Sequence, residues 1–196
     1  MEKIAVFDFD GTIYKKDSLI EFFKFILVKK PWRIIFAGIQ LFAFLLHLFK
    51  IINTTKFKEL FLIYLTGLHN QLDDLVEEFW KEEFPANFNP EVLSLIKDNS
   101  SFKKVCITAS PDFMFNQISN KVAIDLFIST QTTKNKPRMK IVGKNCRGEE
   151  KINRLKEQFK NSFILEMAIS DNLDDKPLIL LAKKRYIVKN DQIILI

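Results

Sequence analysis

The chain has 196 residues and is poor in cysteine and histidine, with two of each. Cys106 and Cys146 are too few for a disulfide framework or a cysteine-built metal site. His47 and His69 have no partners at metal-ligand spacing, so they are weak candidates for holding a transition metal. The five glycines form neither a GxGxxG nor a P-loop, which excludes nucleotide cradles of those kinds. There is no internal repeat and no low-complexity tract. The opening MEKIAVF lacks the apolar stretch of a signal peptide, because Asp8 and Asp10 cut it short. Together with the sparse cysteine this leads to the expectation of a cytoplasmic protein. There is also no long basic arm. The net charge of +6 is spread over short clusters such as Lys103-Lys104 and Lys183-Lys184-Arg185. Nucleic acid is therefore not expected as a partner, whereas phosphate compounds and anionic lipid suit the positive surplus.

What the chain has in quantity is apolar side chains, 47% of the total, with 20 phenylalanines among them. That is enough for one sizeable core. Short apolar runs at 3–8, 103–108, 124–129, 163–170 and 185–189 read as buried strands. Helical patterns at 89–99, 110–121 and 149–160 alternate with them; the first two open on Asn89-Pro90 and Ser110-Pro111, a cap followed by proline. Strands alternating with helices predict a doubly wound, parallel-sheet α/β fold, with its ligand crevice at the carboxyl ends of the strands. The rhythm fails between 15 and 88, which contain no convincing strand. There the chain reads as an all-helical insert, opened by Ser18 and Glu21 in capping-box spacing. The expected division is a core of 1–14 and 89–196 and an inserted cap of 15–88.

The chemistry is concentrated at the strand ends. KIAVFDFDGT sets Asp8 and Asp10 two residues apart at the end of the first strand, where side chains share a face. Two close carboxylates repel, and hard oxygen donors without His or Cys suit Mg²⁺. With its charge so balanced, one carboxylate can act as a nucleophile and the other can move a proton. Taken alone, the pair is equally an acidic turn cap. Three further stretches bear on the choice. Thr108, Ala109 and Ser110 end the second strand where a helix start would bind phosphate. Lys151 lies near another helix start, able to meet a phosphate and a carboxylate together. SDNLDD supplies Asp171 and Asp175 at the same sheet edge.

DFDGT, ITAS, Lys151 and SDNLDD, in this order and spacing, resemble the four motifs of the haloacid-dehalogenase superfamily of phosphatases. The helical insert after the first motif resembles the cap of the phosphoserine-phosphatase-like branch. The resemblance implies a Mg²⁺-dependent phosphomonoester hydrolase. Asp8 would be the nucleophile that becomes an aspartyl-phosphate, and Asp10 the general acid and then base. Thr108, with Ala109 and Ser110, would hold the phosphate, and Lys151 would bridge it to Asp8. Asp8, Asp10 and Asp171 would hold Mg²⁺. Asp175 would support the metal or Lys151, and Thr12 would steady the loop and face the substrate. Ser170 stands where many relatives have glycine.

The substrate is the open point. Asp17 stands where phosphoserine phosphatases have a substrate-binding Glu, and TTKFKELFLIYL has no arginine for a substrate carboxylate. From Ile34 to Phe49 the chain is almost wholly apolar, with Trp32 before it and Lys29, Lys30, Arg33 and Lys50 as basic flanks. A single membrane crossing is excluded if Asp8, before the run, must meet Thr108, Lys151 and Asp171, after it. A buried cap helix, a segment lying in a lipid surface, and an oligomer contact through the cap remain. The apolar run and the fourth motif resemble the C-type phosphatidylglycerophosphate phosphatases of this branch. The expected protein is thus a lipid head-group phosphatase at the inner face of an anionic membrane. A soluble phosphatase of the phosphoserine type and a non-catalytic membrane- or phosphate-binding protein are its alternatives.

Overall fold

The structure, a computed structural model, describes residues 1–99, 101–133 and 136–196. Six strands form one sheet: β1 (Glu2–Phe7), β2 (Lys103–Pro111), β3 (Leu126–Thr130), β4 (Phe163–Ser170), β5 (Lys184–Lys189) and β6 (Gln192–Leu195). Their order is β3-β2-β1-β4-β5-β6. The first five are parallel, as the buried apolar runs predict. Alternation along β1 sorts its side chains onto two faces. Ala5 and Phe7 join one core with Val92 and Ile96 of α5 (Pro90–Asp98). Ile4 and Val6 join the other with Leu155 of α7 (Glu149–Gln158) and Leu178 and Ile179 of α8 (Lys176–Ile179). Asn89 caps α5, accepting from the backbone N–H groups of Glu91 and Val92, as expected of Asn-Pro.

Three local expectations are corrected. No helix starts at Ser110. Strand β2 continues to Pro111, which pairs with Thr130 of β3, and a 3-10 turn (Asp112–Met114) and one helical turn, α6 (Ser119–Val122), follow. The reason is that Ser110 donates its backbone N–H to Thr108 Oγ1 at 3.0 Å and the Pro111 backbone is extended, so the serine caps nothing. The cap of α1 (Ser18–Lys29) is Asp17, whose carboxylate accepts from Ile20 N at 2.9 Å, and Ser18 is the first helical residue. The sheet also gains an antiparallel edge strand, β6, that the apolar pattern did not announce. Its signal is the pair Asn190-Asp191, both at positive φ, which makes a tight hairpin turn after β5.

Between β1 and β2 the described residues hold helices and turns: α1, α2 (Ala37–Leu48), α3 (Thr54–Phe61), α4 (Leu72–Glu83) and α5, with 3-10 segments at Pro31–Phe36 and Leu62–Leu65. An aromatic cluster fastens this insert to the sheet. Trp80 of α4 stacks edge-on against Phe9 and Tyr14 and donates its indole N–H to the Met114 carbonyl at 2.6 Å. Arg33 is not a solvent-facing basic flank of the apolar run. It is 3% exposed, its guanidinium donates to the carbonyls of Tyr64 and Thr66, and Trp32 lies over it at 4.4 Å. Those two carbonyls partner Nη1 of the buried cation, while its Nε is left without a hydrogen-bond partner among the described residues.

Helix α2 is the exception to compact packing. Within it only Gln40 and Ala43 are buried. Leu41, Phe42, Leu48 and Phe49 are each 60% exposed or more. The window Pro31–Leu48 is long and apolar enough to cross a membrane by length and composition, with mean hydropathy 1.5, yet 17% of it is buried. A helix buried in the cap is therefore not what the apolar run forms.

Candidate active site

The carboxyl ends of β2, β1 and β4 are neighbours, so residues that follow these three strands meet at one edge of the sheet. Asp8 follows β1 and is pinned there by its backbone N–H to Ile169 O at 2.9 Å. Phe9 points into the aromatic core and is fully buried, which leaves Asp8 and Asp10 on the other side of the chain. Asp8 Oδ1 accepts from Phe9 N at 2.8 Å and lies 2.9 Å from Lys151 Nζ. Lys151 projects from the first turn of α7 and is 3% exposed. It also donates to Asp175 at 2.6 Å. Burial disfavours its charge, but the carboxylates of Asp8 and Asp175 outweigh that and raise its pKa. Burial, then the charge of Asp8, push the Asp175 carboxyl up to about 6.

Asp10 faces away from Lys151. Its carboxylate accepts from Ser18 N at 2.7 Å and from the Ser110 hydroxyl. Burial and the neighbouring Asp17 push it up to about 6. Asp171 follows β4 and accepts from the Thr12 hydroxyl at 3.3 Å, while its backbone N–H donates to the same oxygen at 3.0 Å. Gly11 makes this approach feasible. Its φ is +70°, and a Cβ there would lie 2.1 Å from an Asp171 oxygen, so any other residue would expel the carboxylate.

These residues surround a cavity of about 590 Å³, which Asp8, Asp10, Thr108, Lys151, Asp171 and Asp175 line together. Ala109, Ser110 and the exposed Asp17 line it too, whereas Thr12 is fully buried behind Asp171. The acids and hydroxyls expected from the strand-end motifs are thus brought to one place except Thr12, which bonds Asp171 from behind and does not face the cavity as expected. Ser170 had been assigned no role, yet its hydroxyl sits between Asp8 (3.1 Å) and Asp175 (2.7 Å), where glycine could bond neither. Lys58, Asn145 and Arg147 also line the cavity, and nothing in a strand-end motif marks them. The lining also has an apolar part, Leu19, Phe57 and Phe61, and includes His47 of α2, whose ring stacks on Phe57 at 4.9 Å.

The donor set suits a hard divalent cation, being carboxylates without sulfur or imidazole. Among the described residues no three Asp, Glu, His or Cys side chains already form a metal cage. The cradle at Gly11, which brings the Asp171 carboxylate against the loop carrying Asp8 and Asp10, is the feature that fits one. Acids pushed upward by burial and by one another are also what a cation would relieve.

Comparison with known proteins agrees with this geometry. Residues 5–179 match the family model of haloacid dehalogenase-like hydrolases. Protein CicA of Caulobacter vibrioides is 26% identical over 189 residues, covering 93% of this chain and 84% of CicA. A protein of unknown function from Bordetella pertussis Tohama I superposes with a TM-score of 0.79 at 17% identity, over 94% of this chain and 89% of that one. A phosphoserine phosphatase solved as its phospho-aspartyl intermediate analogue gives 0.63 at 17% identity, over 94% and 85%. The chain accordingly belongs to the haloacid dehalogenase-like hydrolase family, and its fold is the one shared with phosphoserine phosphatases.

Proposed function

We propose that this hydrolase is a Mg²⁺-dependent phosphomonoesterase that works through an aspartyl-phosphate on Asp8. We further propose that it acts on a terminal phosphate of a lipid head group such as phosphatidylglycerophosphate. The observation that carries the first part is the Asp8–Lys151–Asp175 bridge at the edge where β2, β1 and β4 end. An Asp8 oxygen attacks phosphorus and the bond to the leaving oxygen breaks. Asp10 gives that oxygen its proton, a role helped by the burial and the neighbouring Asp17 that raise its carboxyl. Water then attacks the acyl phosphate, Asp10 takes its proton, and inorganic phosphate departs with Asp8 restored. Lys151 holds Asp8 and a phosphoryl oxygen, Thr108 with its neighbours Ala109 and Ser110 holds the others, and Asp175 keeps Lys151 in place. Asp8, Asp10 and Asp171 would hold the ion, which lowers the repulsion between the carboxylate and the incoming phosphate. A phosphoserine phosphatase has been solved as a phospho-aspartyl intermediate analogue, and the same kind of intermediate is assigned here by analogy.

Residues 15–88 act in this reading as the cap that selects substrate. The lipid assignment rests on the apolar part of the cavity lining, Phe57 and Phe61 with His47 of α2, and on the exposed apolar face of that helix. Residues on either side of the apolar run converge on one site, so the run lies in the membrane surface instead of crossing it. The occupant of that face is an anionic bilayer, on the cytoplasmic side. Lys30 and Lys50 flank the face, and the chain carries +6 overall. A soluble phosphoserine-type enzyme is the second reading, favoured by the shared fold. Against it stand Asp17, occupied in capping α1, and the lack of an arginine on α3.

Three outcomes are expected. Chelation with EDTA abolishes phosphatase activity and added Mg²⁺ restores it; full turnover in metal-free buffer would exclude the metal. Asp10→Asn lowers kcat on alkyl phosphates by about 10²–10⁴-fold. It lowers kcat on p-nitrophenyl phosphate far less, since that leaving group needs no proton, and an equal loss on both would remove Asp10 from proton transfer. Finally, the protein co-sediments with phosphatidylglycerol-containing vesicles at low salt and less so at high salt, and Phe42→Glu with Phe49→Glu prevents it. A lipid-indifferent dimer closed over α2 would contradict the membrane assignment.

A further inference from the structure

Lys58 is a cation that the proposed chemistry does not use. It lies on α3, in the insert, yet its ammonium reaches the core, 2.7 Å from Ala109 O and 2.9 Å from Asn145 Oδ1. Its position is built, not incidental. Thr130 Oγ1 contacts the same two oxygens at 2.7 and 2.9 Å, and Cys146 N donates to that hydroxyl at 3.0 Å. The helix is docked on either side of it: Thr55 Oγ1 accepts from Asn145 N at 3.3 Å, and Glu59 accepts from Ile141 N at 3.1 Å.

The contrast with Lys151 is one of charge. Lys151 has two carboxylates within 3 Å. Lys58 has only neutral oxygens as hydrogen-bond partners and no ion pair among the described residues. An ammonium has three donors; two are used here, and the residue lines the cavity. Burial accordingly pushes its pKa down to about 8, against the attraction of Asp10 and Asp17. Such a group has no carboxylate bonded to it among the described residues, and an anion in the cavity supplies a direct partner for its remaining donor.

Its neighbours say which part of a ligand that anion belongs to. On one side is Ala109, beside Thr108 at the acid cluster. On its own helix Phe57 and Phe61 line the cavity toward His47 and α2. An anion at Lys58 therefore lies between the reacting phosphate and the apolar end of the substrate. Resting on the lipid reading above, we propose that Lys58 is a specificity-determining residue. It binds a second, internal anion of the substrate, the phosphodiester that joins a phosphorylated head group to its diacylglycerol. Lipids whose phosphomonoester is attached directly to diacylglycerol offer it nothing.

Two dihexanoyl substrates test this in the full-length protein with Mg²⁺: phosphatidylglycerophosphate, which has the internal diester, and phosphatidate, which does not. The wild type should favour the first in kcat/KM by about 10- to 100-fold, the range of one charge-assisted hydrogen bond. Lys58→Met should remove most of that preference, chiefly by raising KM for the diester substrate, and Lys58→Arg should keep part of it. Wild-type protein that hydrolyses both lipids equally overturns the role of Lys58 without any variant. So does a Lys58→Met protein that loses activity on both in the same proportion. Wild-type protein that hydrolyses neither lipid but cleaves phosphoserine overturns the lipid reading and this inference together.

Discussion

A buried ammonium shared by two buried carboxylates holds the active edge together. Lys151 meets Asp8 at 2.9 Å and Asp175 at 2.6 Å, in a place with almost no solvent. None of the three could be buried alone as an ion, because removing one partner of such a group costs about 3–5 kcal/mol. Their mutual need ties three distant segments to one point: the end of β1, the start of α7 and the turn after β4. Ser170 completes the arrangement by placing its hydroxyl between the two carboxylates. The same contact that fixes the fold at this edge also orients the Asp8 carboxylate.

The remaining charge in the site follows from that arrangement. Asp10 and Asp171 lie outside the reach of Lys151's hydrogen bonds and are held by serines and a threonine instead. Both are pushed upward by burial. Carboxylates beside the reacting phosphate repel it, so positive charge has to stand close by before the site can bind one. A divalent cation at the Gly11 cradle is one source, and Lys58, reaching in from α3, is another beside the Lys151 and Arg147 of the cavity lining. The first comes from solution and the second belongs to the insert, so in this account catalysis and choice of substrate rest on different parts of the chain.

Much of this was legible in the sequence because a parallel sheet puts the ends of its buried runs in one place. KIAVFDFDGT, ITAS and SDN each couple an apolar run to the polar residues that end it, and the structure brings Asp8, Thr108 and Asp171 to one cavity. What was not legible depends on contacts between segments. Ser110 looks like a helix cap beside Pro111, yet pairing with β3 keeps the chain extended there. Arg33 looks like a basic flank until the carbonyls of Tyr64 and Thr66 fold over it. Lys58 looks like one of many surface lysines, because the oxygens it meets lie 51 and 87 residues further on. Periodicity carries no information about partners so far away.

The central claim is that Asp8 attacks phosphorus, and a covalent intermediate tests it most directly. The protein would be mixed with a ³²P-labelled phosphomonoester and Mg²⁺, quenched in acid within the first turnover, and digested. The account predicts label on the peptide that contains Asp8, lost on treatment with hydroxylamine, as an acyl phosphate should be, and absent from Asp8→Asn. Rapid turnover with no labelled peptide at any quench time, or label on a different residue, would contradict it.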